Sequence, residues 1–586
     1  MKRLLIILFL ALLFRAVFIP NTGFIADVSF WKSWALAAND HGIVWTAHNT
    51  NINYPPGFIY VLWYMGKSYS LFADPHVFNQ FWDAGNLLFL AVSKLPAIVS
   101  DLVIGILLYF FTKEVLKKEK QKDNFLPILL ADLFLFNPVV ILDSAIWGQV
   151  ESFGMLFTII AVILIIKGKP SLATFLFMIG ALMKLQNIIY IPIIYLFIFR
   201  YHGFNSLVKS VAASLLAFVI TIFPFIHAHD VERVLVLLTV NNDYFPWLSL
   251  HAHNPWWILA NGQMMASDKI LVLGIVNAKQ LGLILYAGIY LLLFILIWKK
   301  PNPQNFIISL CIAVFAFFVL STQSHERYSY PVVVWLLFLI PYLKSIKWQK
   351  YTFILYALFS SAIFFNMHEG LVANYPQNGF GFITAFTSPA TTYLNSIFMV
   401  ILLFLLLPYI FREISRLYAL LSISLIITAL FFLNFSYLVK GKVYLSDLKP
   451  VNSRQDFGVL QKDLSVNSFQ GPKSWNFLST DYFFYKKGFG THANSLISFD
   501  LNHKFKNFET DMGVDSESGT QASVIFQIFG DNKLLFESQK MGRFDFPVHA
   551  DVDTTGVKTL NLIVNDTGDG INNDHADWLN PILYKN

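Results

Sequence analysis

Uninterrupted apolar runs recur along this chain from Leu4 to Leu438, and no soluble arrangement of helices and strands buries so many of them. Several approach or exceed the roughly 18 residues that carry a helix across a hydrocarbon core of about 30 Å. Only 13% of the 586 residues are charged, about half of the roughly 25% usual for soluble domains. A string of soluble domains is therefore excluded, as are disordered and collagenous classes. The runs are continuous rather than alternating with period two, which speaks against an outer-membrane barrel. Cys311 is the single cysteine and lies inside an apolar run, so neither a disulfide framework nor a thiolate zinc site can form. The class is an α-helical polytopic membrane protein.

Thirteen segments read as transmembrane helices, at about 4 to 19, 88 to 112, 125 to 143, 150 to 166, 171 to 186, 188 to 199, 208 to 226, 281 to 298, 304 to 321, 330 to 343, 351 to 366, 395 to 411 and 417 to 438. The pair meeting near Lys184 and Gln186 also reads as one long broken helix. The opening run is kept as a span because Arg15 interrupts it and no small-residue cleavage site follows. Cytoplasmic loops concentrate Lys and Arg. Alternate loops hold Lys2, Arg3, the lysines from Lys113 to Lys122, Lys167, Lys169, Arg200, Lys209, Lys299, Lys300, Lys344, Lys347, Lys350, Arg412 and Arg416. The opposite face holds Lys32, Lys67, Arg233, Lys269, Lys279 and Arg327. This layout puts the N-terminus in the cytoplasm and the C-terminus outside the plasma membrane.

After Leu438 the long apolar runs stop, and alternating stretches such as ASVIFQIFG and KTLNLIVND stand between Gly, Asn and Asp turns. That pattern is an all-β sandwich. The domains are thus 1–439, in the membrane, and 440–586, periplasmic or extracellular.

Chemistry-bearing residues gather on the outer side. Asp27 opens the first outer loop, ahead of Trp31 and Trp34. A carboxylate at the membrane edge suits a general base for an acceptor hydroxyl; it equally suits an N-cap for the helix that follows. Lys94 and Asp101 lie seven apart on one helix face, where they mark a site or pair with neighbours. Asp143, Trp147, Gln149 and Glu151 stand at an outer turn, where Trp and Gln can stack on and hydrogen-bond a sugar. Lys184 and Gln186 sit at a helix break where a cation can meet a phosphate or snorkel. In STQSHERYSYP, Arg327 suits bidentate phosphate binding with His325 as a second donor, or a salt-bridged turn. His251 and His253 alternate as on an extended loop and lack the four-residue spacing of a helical zinc pair.

In order along the chain, ADVSFWKSWA, HGIVW, NYPPGFIYVLW, KLPAIVSDL, NPVVILDSAIWGQVES, GALMKLQNIIYIP, HNPWWIL and STQSHERYSYP resemble polyprenyl-phosphate-dependent mannosyltransferases of the GT-C superfamily. The bacterial homologues of the GPI-anchor second mannosyltransferase are the nearest relatives by this resemblance, over residues 1 to 366. It implies a GT-C fold with a large first outer loop, a lipid-linked donor and inverting displacement. The loop aspartate falls on Asp27, and the donor phosphate on Arg327 and Lys184, with His325, Gln186 and Lys94 assigned beside them. Trp147, Gln149, Glu151, Tyr54 and His251 are assigned to the acceptor. Relatives often carry Asp where this chain has Glu151.

Residues 443 to 584, with VYLSDLKPV, YKKGFGTHANSLISFDL, MGVDSES, VIFQIFGD and DTGDGINNDHADWLNPIL, resemble the novel putative carbohydrate-binding module. There His492, Asp574, His575, Asp577 and Trp578 are expected either to face a sugar or to fix a turn, and the adjacent Asp residues suit a Ca²⁺-holding turn.

The expectation is a cell-envelope hexosyltransferase. It moves a sugar, mannose first among candidates, from a polyprenyl phosphate to a glycan or lipid-linked acceptor on the outer face. The membrane domain calls for no metal cofactor, and nucleic acid is not a partner. A polysaccharide or lipid transporter, with Lys94, Asp101 and Lys184 lining a pathway, is the alternative.

Overall fold

The computed structural model describes residues 2–239, 245–268, 270–272, 276–470, 478–480 and 483–585. Lys269, one of the outer-face cations, lies outside the described residues. Two compact units emerge, one of residues 1–245, 249–262 and 285–423, the other of 246–248, 263–284 and 424–586. The second unit thus takes in a loop from the membrane region. There the Phe484 N–H donates to the Met265 carbonyl at 2.9 Å.

In the first unit every segment read as a span falls on helix, but the lengths differ from the expectation. Among the described residues, six helices are individually long and apolar enough to cross a bilayer: Leu87–Lys118, Phe204–His227, Ala278–Lys299, Pro303–Leu320, Ile346–Asn374 and Pro389–Phe411. Leu126–Leu135 and Pro138–Trp147 are long and apolar enough only as a pair, which is bent by 41°. Asn137 causes the bend by capping a new helix whose first residue is Pro138, which has no N–H to give. Glu151–Ile166, Pro170–Met183, Pro331–Tyr342 and Leu417–Leu430 are apolar but shorter. At the expected break the helix Pro170–Met183 stops, Leu185–Tyr190 continues as a 3₁₀ turn, and Ile191–His202 resumes as α-helix.

The first outer loop folds into the helices Ile25–His41, Ile43–Asn49, Pro56–Ser70 and Phe78–Phe81. Two glycines set its position. Gly23 has φ +62°, and a Cβ there would lie 2.1 Å from the Trp147 carbonyl oxygen. A Cβ on Gly57 would lie 2.7 Å from that of Leu182. Only hydrogen fits at either point, so the loop lies directly on the Trp147 turn and on the helix end before Lys184.

Among the described residues the β-rich unit contains two six-stranded antiparallel sheets beside two short strand pairs. In one, the order is 548–553, 505–514, 575–585, 488–492 and 461–462, with 442–444 also on 575–585. In the other it is 533–537, 523–530, 559–565, 495–500 and 452–454, with 541–542 on 523–530. Period-two alternation turns Leu560, Leu562 and Val564 inward against Phe526 and Ile528 to form the core.

Candidate active site

Asp27 lies in the first turn of the helix Ile25–His41, but Phe24 is the N-cap residue and no side chain caps that end. The cap alternative is therefore corrected. Instead Asp27 Oδ2 accepts a hydrogen bond from Gln149 Nε2, an arrangement possible because Gly23 brings the two chain segments together. Burial raises the carboxyl's pKa above the usual carboxylate range, Arg327 opposes that shift, and Glu326 adds to it. A carboxylate made hungrier for protons in this way is a stronger base.

Three basic side chains line one cavity of 280 Å³, together with Tyr54, Gln186 and Tyr328. Lys184 follows directly on the end of the helix Pro170–Met183 and forms an ion pair with Glu151 Oε1. Arg327 Nε lies 3.3 Å from that same oxygen, and its Nη1 is 2.5 Å from Glu326 Oε1. Glu151 thus holds two cations side by side while itself remaining buried. Burial pushes the Glu326 carboxyl up, yet Arg327 and His325 together outweigh it and hold the value at about 2. His325 is lowered, first by burial and then by Arg327. His325 Nδ1 lies 3.4 Å from Arg327 Nη1 and 3.8 Å from Glu326 Oε2. Gln186 Nε2 donates to the Tyr328 carbonyl at 3.2 Å and secures the loop from the other side.

Asp27, Tyr54, Gln149, Glu151, Lys184, Gln186, His325 and Arg327 are therefore brought together, with Glu151 in contact with the cations. Three assigned residues lie elsewhere. Lys94 Nζ is enclosed by the carbonyls of Phe18, Ile19, Asn21, Ala145 and Ile146, at 2.6 to 3.3 Å. It joins the end of the first helix to the Trp147 turn and does not line the cavity. Lys94→Met should strand those carbonyls and lower stability by on the order of 3 kcal/mol, read as a large drop in melting temperature. Trp147 is buried, its ring stacked on Phe24 at 5.5 Å, so no sugar can lie on it. His251 points its Nδ1 at Glu369 Oε2, 3.2 Å away. Asp101 is likewise occupied, by Arg15 Nε at 2.8 Å and the Ser144 hydroxyl at 2.6 Å.

Glu326, Tyr328 and Asp143 were not assigned beforehand. The first two flank Arg327 in HERY, and that adjacency was the available signal. Asp143 has two buried carboxylate oxygens without a hydrogen bond among the described residues. Its neighbour Glu151 is eight residues on, and only the π-helical turn Leu142–Trp147 brings them near.

In the β-rich unit Trp578 is buried in the core, edge-on to Phe526 at 5.1 Å, and Asp577 is buried as well, accepting from the Ser479 N–H at 3.1 Å. The expectation that these two face a sugar is corrected: period-two alternation on a central strand covered on both sides turns them inward. Asp574 accepts from the Ser523 N–H at 2.9 Å and fixes a turn. The His492 and His575 rings lie 5.2 Å apart, tilted by 60°, beside Phe457, and His575 Nδ1 is 3.0 Å from Glu517 Oε1. Among the described residues no three His, Cys, Asp or Glu side chains form a metal-holding group.

Asp577 and Asp515 face each other with one oxygen apiece lacking any other partner. Burial raises both, Asp515 to about 7; their mutual hydrogen bond lowers Asp515 against burial, whereas Asp515 raises Asp577 further. Below the unfolded value of 3.8 both states hold their protons. As the pH climbs from there to about 7 the folded state alone keeps them, so stability falls. Asp577→Asn should flatten that dependence in thermal melts of the whole chain.

Two family models match in chain order: GPI transamidase subunit PIG-U over residues 55–229 and the NPCBM/NEW2 domain over residues 441–584. The first match falls on helices that include candidate membrane spans, and the second falls on the β-sandwich described above. Residues 55–229 are thus similar to PIG-U, and residues 441–584 to the NPCBM/NEW2 domain. No curated protein sequence matches the chain. Similar solved structures include CBM51 from Clostridium perfringens GH95 in complex with methyl-galactose, 34% identical over 24% of this chain and 99% of that one, with a TM-score of 0.22. CBM51-2 in complex with GlcNAc, with INT domains, from Clostridium perfringens ZmpB is 26% identical over 25% of this chain and 31% of that one, with a TM-score of 0.22. Arabinosyltransferase EmbB from Mycobacterium smegmatis is 11% identical over 99% of this chain and 64% of that one, with a TM-score of 0.35.

Proposed function

We propose that the chain transfers a hexose, mannose first among candidates, from a polyprenyl phosphate to a glycan or lipid-linked acceptor, with inversion at the anomeric carbon. One observation carries this reading: a carboxylate of raised proton affinity, Asp27, sits in the same cluster as the three basic side chains of one cavity. Asp27 takes the proton of the acceptor hydroxyl as its oxygen attacks the anomeric carbon from the face opposite the phosphate. The bond between that carbon and the phosphate oxygen breaks, and the electron pair leaves with the phosphate. Arg327 and Lys184 meet the charge that develops on the leaving phosphate oxygens, and His325 donates to one of them. These side chains supply the electrostatic work without a metal.

The charge asymmetry of the loops supports a site on the outer face, with the N-terminus cytoplasmic and the β-rich unit periplasmic or extracellular. Two CBM51 neighbours were solved with sugars bound, and by that likeness the NPCBM domain engages a glycan on the acceptor or in the envelope. The transporter alternative loses support, since Lys94 and Asp101 are engaged by protein partners instead of lining a pathway. The test is incubation of purified protein with labelled polyprenyl-phosphate sugars, following lipid phosphate release. Release that depends on an added acceptor is expected, and no release from any of them overturns the reading.

A further inference from the structure

The loop that carries His325, Glu326 and Arg327 has no helix or strand of its own, and its shape is imposed from behind. Glu369, on the helix Ile346–Asn374, accepts at one oxygen, Oε2, from His251 Nδ1 at 3.2 Å and His253 Nε2 at 3.3 Å. One turn earlier Asn366 accepts from the backbone N–H of His253 at 3.0 Å and donates to the His251 carbonyl. Asn395 donates to His253 Nδ1 at 2.9 Å and to the Ala362 carbonyl at 3.1 Å. The second of those bonds fixes the amide's orientation. His253 Nδ1 is therefore an acceptor, and its proton sits on Nε2, directed at Glu369. His251 is held with φ +53°, a left-handed conformation that a non-glycine residue keeps only when its surroundings enforce it.

The segment gripped in this way touches the Arg327 loop directly. The Leu250 N–H donates to the Ser324 carbonyl at 3.0 Å, and His251 bridges His325 in antiparallel fashion. Next to Glu369, Gly370 makes room for Glu326: a Cβ there would lie 3.0 Å from Glu326 Cγ and 3.4 Å from His251 Cβ. One helix face thus holds both the histidine segment and the partner of Arg327.

We propose that Glu369, acting through His251 and His253, is the positioning residue of the Glu326–Arg327 donor-phosphate site. The proposal rests on the phosphate-binding reading of Arg327. A misplacement of about 1 Å costs on the order of a hundredfold in rate, so the hold on this loop has a kinetic consequence.

The experiment uses the full chain in lipid nanodiscs, with polyprenyl phosphate as the binding probe and sugar transfer as the second readout. Glu369→Gln keeps the size and one oxygen for the two imidazole N–H groups but replaces an ionised acceptor with a neutral one, so both charge-assisted bonds weaken. Affinity for polyprenyl phosphate is expected to fall about tenfold or more, with acceptor KM unchanged. His251→Asn places an N–H near the old Nδ1 and should keep most of the affinity; His251→Leu should lose it. Unchanged affinity in both Glu369→Gln and His251→Leu overturns the proposal, and so does equal loss in His251→Asn and His251→Leu. If Glu369→Gln fails to fold, the two His251 variants still decide. A wild-type protein that does not bind polyprenyl phosphate overturns the phosphate reading and this proposal with it, whereas binding that none of the variants alters overturns this proposal alone.

Discussion

Sugar transfer by Asp27→Asn is expected to fall by a factor of about 10²–10⁴, the usual contribution of a positioned general base. The substitution keeps an oxygen for Gln149 Nε2 to donate to, so the helix start and the Trp147 turn stay in register. Binding of polyprenyl phosphate should be unchanged, because Asp27 acts on the acceptor. The pH profile adds a second check. Burial raises Asp27 above its ordinary 3.8, so the acid limb of kcat/KM in the wild type should lie above that value. Transfer by Asp27→Asn at the wild-type rate would remove Asp27 as the base.

Arg327→Lys is the second large effect. Alanine is the wrong probe, since it takes the arginine partner from buried Glu326 and one of two cations from Glu151, a defect of about 3–5 kcal/mol in its own right. Lysine keeps the charge but not the planar fork that reaches Glu151 and Glu326 from different nitrogens. Without the fork the cation can serve the carboxylates or the phosphate, but not all at once. Donor affinity should fall by about 10- to 100-fold, on the scale of a lost charge-assisted bond, while acceptor KM changes little. A rise confined to acceptor KM would move Arg327 out of the donor site.

The helices could be read from the sequence because each apolar run must be paired with a backbone that satisfies itself in lipid. Their lengths could not, since local breaks such as Asn137–Pro138 divide runs that look continuous. Asp27 and Arg327 were legible as single residues with chemistry out of keeping with their surroundings. Their meeting was not, because it depends on contacts between distant parts of the chain, such as Gly23 on Trp147. The same distance hid the role of Lys94. A buried lysine reads the same whether it faces a ligand or, as here, five carbonyls of remote segments. Trp578 and Asp577 were misjudged for another reason: alternation marks which residues share a face of a strand, but on a strand buried on both sides neither face is solvent. The grip of Glu369 on His251 and His253 left no local trace at all.

The single Glu151 oxygen between Lys184 and Arg327 has a consequence for how a donor arrives. A mouth whose positive charge is already answered from within projects little field into the surrounding water. Dissolved anions are not gathered from a distance, and added salt has little attraction to screen. For the lipid-linked donor proposed above, entry is then expected from the plane of the bilayer, with weak competition from free phosphate in the medium.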